Sequence, residues 1–118
     1  MTMTEAQLDA TFTALADPTR RAIVARLSRG DASVTELAAP SELSLPGFSK
    51  HLKVLERSGL ISRSRQAQFR PCHLEWAALD EAVGWIERNR RVWSERFDKL
   101  DTHLREIQRR AEIEQHRD

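Results

Sequence analysis

Apolar residues along the first half of the chain recur at helical spacing and are interrupted by well-placed caps. Leu8, Phe12 and Leu15 predict a first helix over 5–16 with an apolar side. Asp17-Pro18 then reads as a cap followed by proline at the first helical position. The second helix turns Ile23 and Leu27 inward and stops near Gly30. Ser33 and Glu36 have the S-x-x-E spacing of a capping box and open a short third helix with Val34 and Leu37 facing in. That helix ends by Pro40, and Leu43 is expected to plug the following turn. Ser44 can cap a fourth helix, where Pro46 is tolerated because the first turn has no amide partners to lose. Phe48, Leu52 and Leu55 give this helix its apolar side, and Ser58-Gly59 ends it. Residues 60–65 and 69–74 predict two short strands around a tip at Gln66-Ala67-Gln68, with Pro71 confining the second to a sheet edge.

From residue 75 onward the pattern changes. Leu79, Val83, Ile86, Arg90, Trp93, Phe97, Leu100, Leu104, Ile107 and Ala111 follow a 4-3-4-3 spacing, a heptad seam with one polar interruption. A helix over about 75–112 would be roughly 55 Å long at 1.5 Å per residue. A domain of this length has a radius of gyration of only about 13 to 14 Å. Its own core therefore cannot cover the far end of the seam. All three Trp (Trp76, Trp85, Trp93) lie in this segment, and aromatics are frequent anchors at subunit interfaces. The expectation is a pairing of two copies, with help from the first helix. The candidate dimer residues are Leu8, Phe12, Trp85, Ile86, Trp93, Phe97, Leu100 and Leu104. An intramolecular fold-back is the competing arrangement, but no break signal marks its turn.

Composition narrows the class. The 118 residues fit one domain over 1–118. Hydrophobic residues make up 40% and charged residues 31%, which excludes a disordered tail and a membrane protein. Met1-Thr2-Met3-Thr4-Glu5 offers neither a basic region nor an apolar stretch, so no secretory signal is expected. A single cysteine agrees with a reducing cytoplasm. The net charge of +1 gives no global reason to expect a nucleic-acid partner, but its distribution does. Residues 44–74 carry a balance of +5 between two flanks of −2 each.

The order helix, short helix, turn, helix, two-stranded ribbon is that of a winged helix-turn-helix. The fold class expected is therefore mainly α with a small β-ribbon. The helix-turn-helix occupies about 33–58, the wing about 60–74, and a long C-terminal dimerisation helix about 75–112. In such a unit the second helix of the pair enters the major groove. With Phe48, Leu52 and Leu55 inward, the outward positions on that helix are Pro46, Gly47, Ser49, Lys50, Lys53 and Arg57. The candidate DNA-binding residues are Ser44, Pro46, Gly47, Ser49, Lys50, His51 and Lys53 on this helix, and Arg63, Arg65, Gln68 and Arg70 on the ribbon. Gly47 leaves room for close backbone approach. His51 lies at the margin of the buried face, where packing competes with DNA contact.

Two stretches resemble a known family. Ala14-Leu15-Ala16-Asp17-Pro18-Thr19-Arg20-Arg21-Ala22-Ile23 resembles the first-to-second helix junction of ArsR/SmtB-type winged-helix regulators. Phe48-Ser49-Lys50-His51-Leu52-Lys53-Val54-Leu55-Glu56-Arg57-Ser58-Gly59-Leu60 is similar to their recognition helix and its exit. The resemblance implies a homodimeric bacterial transcription factor, usually a repressor, with double-stranded DNA as partner and pairing through the first and last helices. Many members release DNA on binding metal. One such site uses a Cys-x-Cys pair where this chain has Val34-Thr35-Glu36-Leu37-Ala38, without cysteine. A second uses Asp and His ligands on the last helix. Asp101-Thr102-His103 resembles its first half, but the matching second histidine position is Glu114. His116 stands two residues further, about 200° around the helix. No metal or other cofactor is expected.

Cys72 is the remaining sensor candidate, beside His73 and near Arg70, whose charge could lower a thiol pKa. Period-two alternation instead places it on the inward side with Leu74, as a packing residue. No catalytic spacing or phosphate loop emerges, so an enzyme is not expected. The competing functions are a metal- or thiol-responsive switch on the same fold and a winged-helix module that binds protein.

Overall fold

The computed structural model describes residues 3–64 and 70–115. The chain divides into two units, Met1–Val83 and Gly84–Asp118. The first unit contains four helices and a ribbon: α1 (Glu5–Leu15), α2 (Pro18–Leu27), α3 (Val34–Ala38), α4 (Leu45–Arg57), β1 (Ile61–Arg63) and β2 (Cys72–Leu74). Helix α5 (Trp76–Gln115) begins in this unit and continues through the second.

Local chemistry explains the helix starts. Thr4 and Gln7 make a full capping box on α1: Thr4 Oγ1 accepts from the Gln7 amide, and Gln7 Oε1 accepts from the Thr4 amide. Asp17 caps α2 through Oδ2, which accepts from the Arg20 amide at 3.0 Å, with Pro18 at the first helical position. At α3 the expected box is only half formed. Ser33 Oγ accepts from the Glu36 amide, but the Glu36 carboxylate accepts from the Ser33 hydroxyl rather than from a backbone amide. A carboxylate satisfied by the cap's own hydroxyl has no need to reach further back. Ser44 caps α4 by accepting from the Gly47 amide at 3.2 Å. At the end of α4, Gly59 takes a left-handed φ of 82°, which lets the chain turn toward β1.

The buried core is one cluster that includes Ala14, Ile23, Val24, Leu27, Leu37, Phe48, Leu52, Leu55, Leu60, Ile61, Cys72 and Leu74. The inward residues expected of α2 and α4 are thus buried. On α1 the buried positions are Thr11 and Ala14, while Leu8, Phe12 and Leu15 are only half-buried. Thr11 is accommodated because its hydroxyl donates to the Gln7 carbonyl at 3.0 Å. Leu43 does not plug its turn. It is 46% exposed; its amide is held by Ser41 Oγ, and Leu37 and Phe48 supply the buried groups on either side.

The ribbon is antiparallel with Ile61 opposite Leu74, Ser62 opposite His73 and Arg63 opposite Cys72. Its strands are shorter than expected. Nor is β2 confined to an edge, because Cys72 also bridges Ala32: its amide donates to the Ala32 carbonyl at 2.8 Å, and the Ala32 amide returns the bond at 3.2 Å. Pro71 accepts from the Ser64 amide at 3.1 Å but has no amide to return, so the ladder with β1 ends there, while the next amide, that of Cys72, donates to Ala32.

The second unit is helical from Gly84 to Gln115. Exposed ion pairs at Glu87–Arg90 and Asp101–Arg105 lie along it. Trp85, Ile86, Val92, Trp93, Phe97, Leu100, Leu104 and Ile107 are all exposed. No described helix is long and apolar enough to cross a membrane.

A side-chain contact also ties the ribbon to the segment before α3. His73 Nδ1 lies 2.7 Å from Asp31 Oδ1. This hydrogen bond, with the charge of Asp31, raises the His73 pKa above its ordinary 6.5. A raised folded-state pKa contributes stability in full below the unfolded value and loses it as pH rises through the folded value. Asp31→Asn should therefore lower stability at pH 5.5 and have little effect at pH 9, as read by urea unfolding at both pH values. Equal losses at the two pH values would contradict the assignment.

Candidate nucleic-acid interface

Burial fixes the orientation of α4. At about 100° per residue, Phe48, Leu52 and Leu55 occupy a narrow arc, and all three are buried. Pro46, Ser49, Lys50, Lys53 and Arg57 fall within about 100° of arc on the opposite side. Of these, Pro46, Lys50, Lys53 and Arg57 are exposed and Ser49 is half-buried. Lys50, Lys53 and Arg57 form no ion pair with another described residue. The result is an unneutralised cationic strip along one helix. The smallness of Gly47 has a reason inside the helix: a Cβ there would lie 3.2 Å from Ser44 Oγ, the atom that caps α4.

Arg20 holds α4 against its neighbours. Its Nε donates to the Ala14 carbonyl at 2.7 Å and Nη2 to the Thr13 carbonyl at 3.2 Å, closing the end of α1. Nη1 lies 3.0 Å from His51 Nδ1 on α4. A guanidinium only donates, so in this contact Nδ1 is the acceptor. The Arg20 amide meanwhile donates to Asp17, and this bond is the main reason the Asp17 carboxyl sits below its ordinary value. His51 is half-buried in this cluster, with Asp17 Oδ2 3.7 Å away. Its geometry serves as a tie between α2 and α4. Nothing in the sequence singled out Arg20, because its role needs three helices to be placed first.

The ribbon residues divide. Arg63 is half-buried and pairs with Glu56 of α4 at 3.0 Å, which neutralises one of the cations in the basic segment. Arg63 also stands directly opposite Cys72. Burial raises the Cys72 thiol pKa, and Arg63 offsets only part of that effect. A buried thiol held protonated has little reactivity, which favours packing over sensing. Arg70 is exposed at the base of the wing, with a left-handed φ of 28°. Arg65 and Gln68 lie outside the described residues.

The candidate dimer residues are also accounted for. Leu8 and Phe12 are half-buried on α1. On α5, Trp93 is 73% and Phe97 67% exposed, and Trp85, Ile86, Leu100 and Leu104 are exposed as well. Exposed apolar rows of this extent mark interaction surfaces. Among the described residues, no three His, Cys, Asp or Glu side chains converge as metal ligands.

Comparison with known proteins agrees with the fold. Residues 15–63 match a family described as a helix-turn-helix domain. The chain is 35% identical over 75 residues to the Bacillus subtilis transcriptional repressor SdpR, spanning 64% of this chain and 83% of the relative. A crystal structure of an ArsR family transcriptional regulator superposes with a TM-score of 0.70 at 44% identity, covering 75% of this chain and 97% of the other. An ArsR-like transcriptional regulator from Rhodococcus sp. RHA1 gives a TM-score of 0.71 at 29% identity, covering 82% and 92%.

The Arg20 cluster can be tested without any ligand. Hydrogen bonds from a charged group contribute about 1.5–3 kcal/mol each to stability. Arg20→Ala should lower the unfolding free energy by about 2–3 kcal/mol, and Arg20→Lys should recover less than half of it, because an ammonium lacks the planar fork. Urea unfolding checks both variants. A loss below about 0.5 kcal/mol for Arg20→Ala would remove the clamp, being the range of ordinary surface substitutions.

Proposed function

The chain belongs to the ArsR family of winged helix-turn-helix transcriptional regulators, and on that premise we propose that it is a homodimeric repressor that binds an inverted-repeat operator in the cytoplasm. As a member of this family it is a DNA-binding transcriptional regulator. The finer reading rests chiefly on the strip formed by Lys50, Lys53 and Arg57, which lies opposite the buried face of α4.

In this reading α4 enters the major groove. Ser49 and Lys50 reach base edges or phosphates, and Ser44, Pro46 and Gly47 bring the start of the helix close to the duplex. Lys53 and Arg57 meet phosphates. Arg70, Arg65 and Gln68 carry the wing contact. Arg63 contributes by bracing the ribbon against Glu56, and His51 by anchoring α4 to Arg20. Two copies pair through Leu8 and Phe12 of α1 and through Trp85, Ile86, Trp93, Phe97, Leu100 and Leu104 of α5. The exposure of these α5 side chains, from 41% for Trp85 to 73% for Trp93, supports the pairing. The two recognition helices then meet half-sites about one turn of DNA apart, roughly 34 Å. Repression is proposed because the relative SdpR is named a transcriptional repressor and because a dimer seated on a promoter obstructs polymerase.

An unbiased selection of bound duplexes from random DNA tests the reading directly. It should yield an inverted repeat, and recovery of no sequence would overturn DNA recognition. On a selected duplex, Lys50→Ala should weaken binding. If Lys50 touches phosphate, the slope of log affinity against log salt should shrink by about 0.9 per contact, so by about 1.8 for a dimer. An unchanged affinity and slope would take Lys50 out of the interface. For the dimer, Phe97→Glu should weaken self-association by about thirtyfold or more, the scale of a buried aromatic anchor. Sedimentation equilibrium measures it, and a wild-type protein that stays monomeric at tens of micromolar would contradict the pairing.

A further inference from the structure

Leu45 stands at the first position of α4 and is 60% exposed. It is next to Pro46, which is also exposed. The polar groups of this turn are largely committed within the helix. Ser44 Oγ accepts from the Gly47 amide, the Phe48 amide donates to the Ser44 carbonyl at 2.9 Å, and Pro46 has no amide hydrogen to offer. The two exposed side chains after the Ser44 cap, Leu45 and Pro46, are thus apolar, while the strip behind them (Lys50, Lys53, Arg57) is cationic.

We propose that Leu45 is a specificity residue that reads thymine through its 5-methyl group. The inference rests on the DNA-binding reading above and deepens it. The major groove displays hydrogen-bonding edges at every base pair, but its one apolar group is the thymine methyl. An aliphatic side chain with no polar atoms discriminates bases there only by covering that methyl or by leaving a polar edge unsatisfied. Both effects favour thymine. Leu45 lies ahead of the cationic strip on the same helix, about 80–140° around the axis from Lys53, Arg57 and Lys50, and is exposed at the helix start. Attraction of the strip to phosphates would bring this first turn toward the groove.

Deoxyuridine pairs like thymidine but lacks the methyl group, so it isolates the contact. Duplexes taken from the random selection are prepared with each thymine replaced in turn by deoxyuridine, and affinity is measured for wild type and Leu45→Ala. For the wild type, replacement at one thymine in each half-site should weaken binding by about fourfold per site, equivalent to about 0.8 kcal/mol for one buried methyl. For Leu45→Ala the same replacement should change affinity by less than about 1.5-fold, and selection with this variant should lose the thymine preference at that position. Leu45 is outside the core cluster, so the variant should melt as the wild type does. Wild-type binding that is indifferent to every replacement overturns the assignment, as does equal sensitivity in Leu45→Ala. In both of those outcomes DNA binding itself stands. A selection that returns no sequence overturns the DNA-binding reading and the thymine contact together.

Discussion

Phe48, Leu52 and Leu55 are buried together on one side of α4, and their burial leaves the helix no freedom to turn about its axis. Rotating it by a single residue, about 100°, would expose these side chains and draw polar ones into the core. Truncating any one of them to alanine is worth about 2–5 kcal/mol, a large share of the roughly 5–15 kcal/mol that holds a domain together. The outward arc of Lys50, Lys53 and Arg57 is therefore a consequence of packing on the other side. Arg20 adds direction to this constraint by fastening α1, the start of α2 and His51 of α4 through one guanidinium.

Charge follows the same logic. The whole chain is nearly neutral at +1, yet residues 44–74 are strongly basic. Pairing of Arg63 with Glu56 removes one cation from that segment and leaves the strip on α4 unpaired among the described residues. Exposed charges separated by more than about 8 Å are largely screened at physiological salt, so acidic flanks elsewhere in the sequence do not cancel the local attraction. A modest total charge also limits non-specific affinity. In the proposed dimer, specificity comes from two recognition helices acting together, and the exposed aromatic residues of α5 are the surface proposed to join the two copies.

Much of this was legible in the sequence because its signals are local. Asp17-Pro18, Ser44 with Pro46, and the i, i+4, i+7 spacing of Phe48, Leu52 and Leu55 each act within one turn or along one face, and the structure has them in those roles. The Thr4-x-x-Gln7 cap belonged to the same class of signal and could have been found. Other features were not legible because they depend on tertiary placement. Arg20 reads as an ordinary surface cation until the carbonyls of Thr13 and Ala14 converge on it. Glu56 and Arg63 pair only once α4 and β1 are adjacent, and Asp31 meets His73 across 42 positions of sequence. Leu43 misled because an apolar residue in a turn looks like a plug, and only its exposure shows otherwise. Pro71 misled because a proline beside a strand looks like an edge marker, whereas Cys72 still pairs on both sides.

The orientation of α4 and the pairing of two copies make one joint claim about how the protein sits on DNA. Hydroxyl-radical footprinting of a selected duplex, with the stoichiometry of the complex measured alongside, examines both at once. Two recognition helices in successive major grooves predict two symmetric patches of protection centred about one helical turn apart, roughly 10 base pairs, at two chains per duplex. A single patch bound by one chain, or protection without two-fold symmetry, would contradict it.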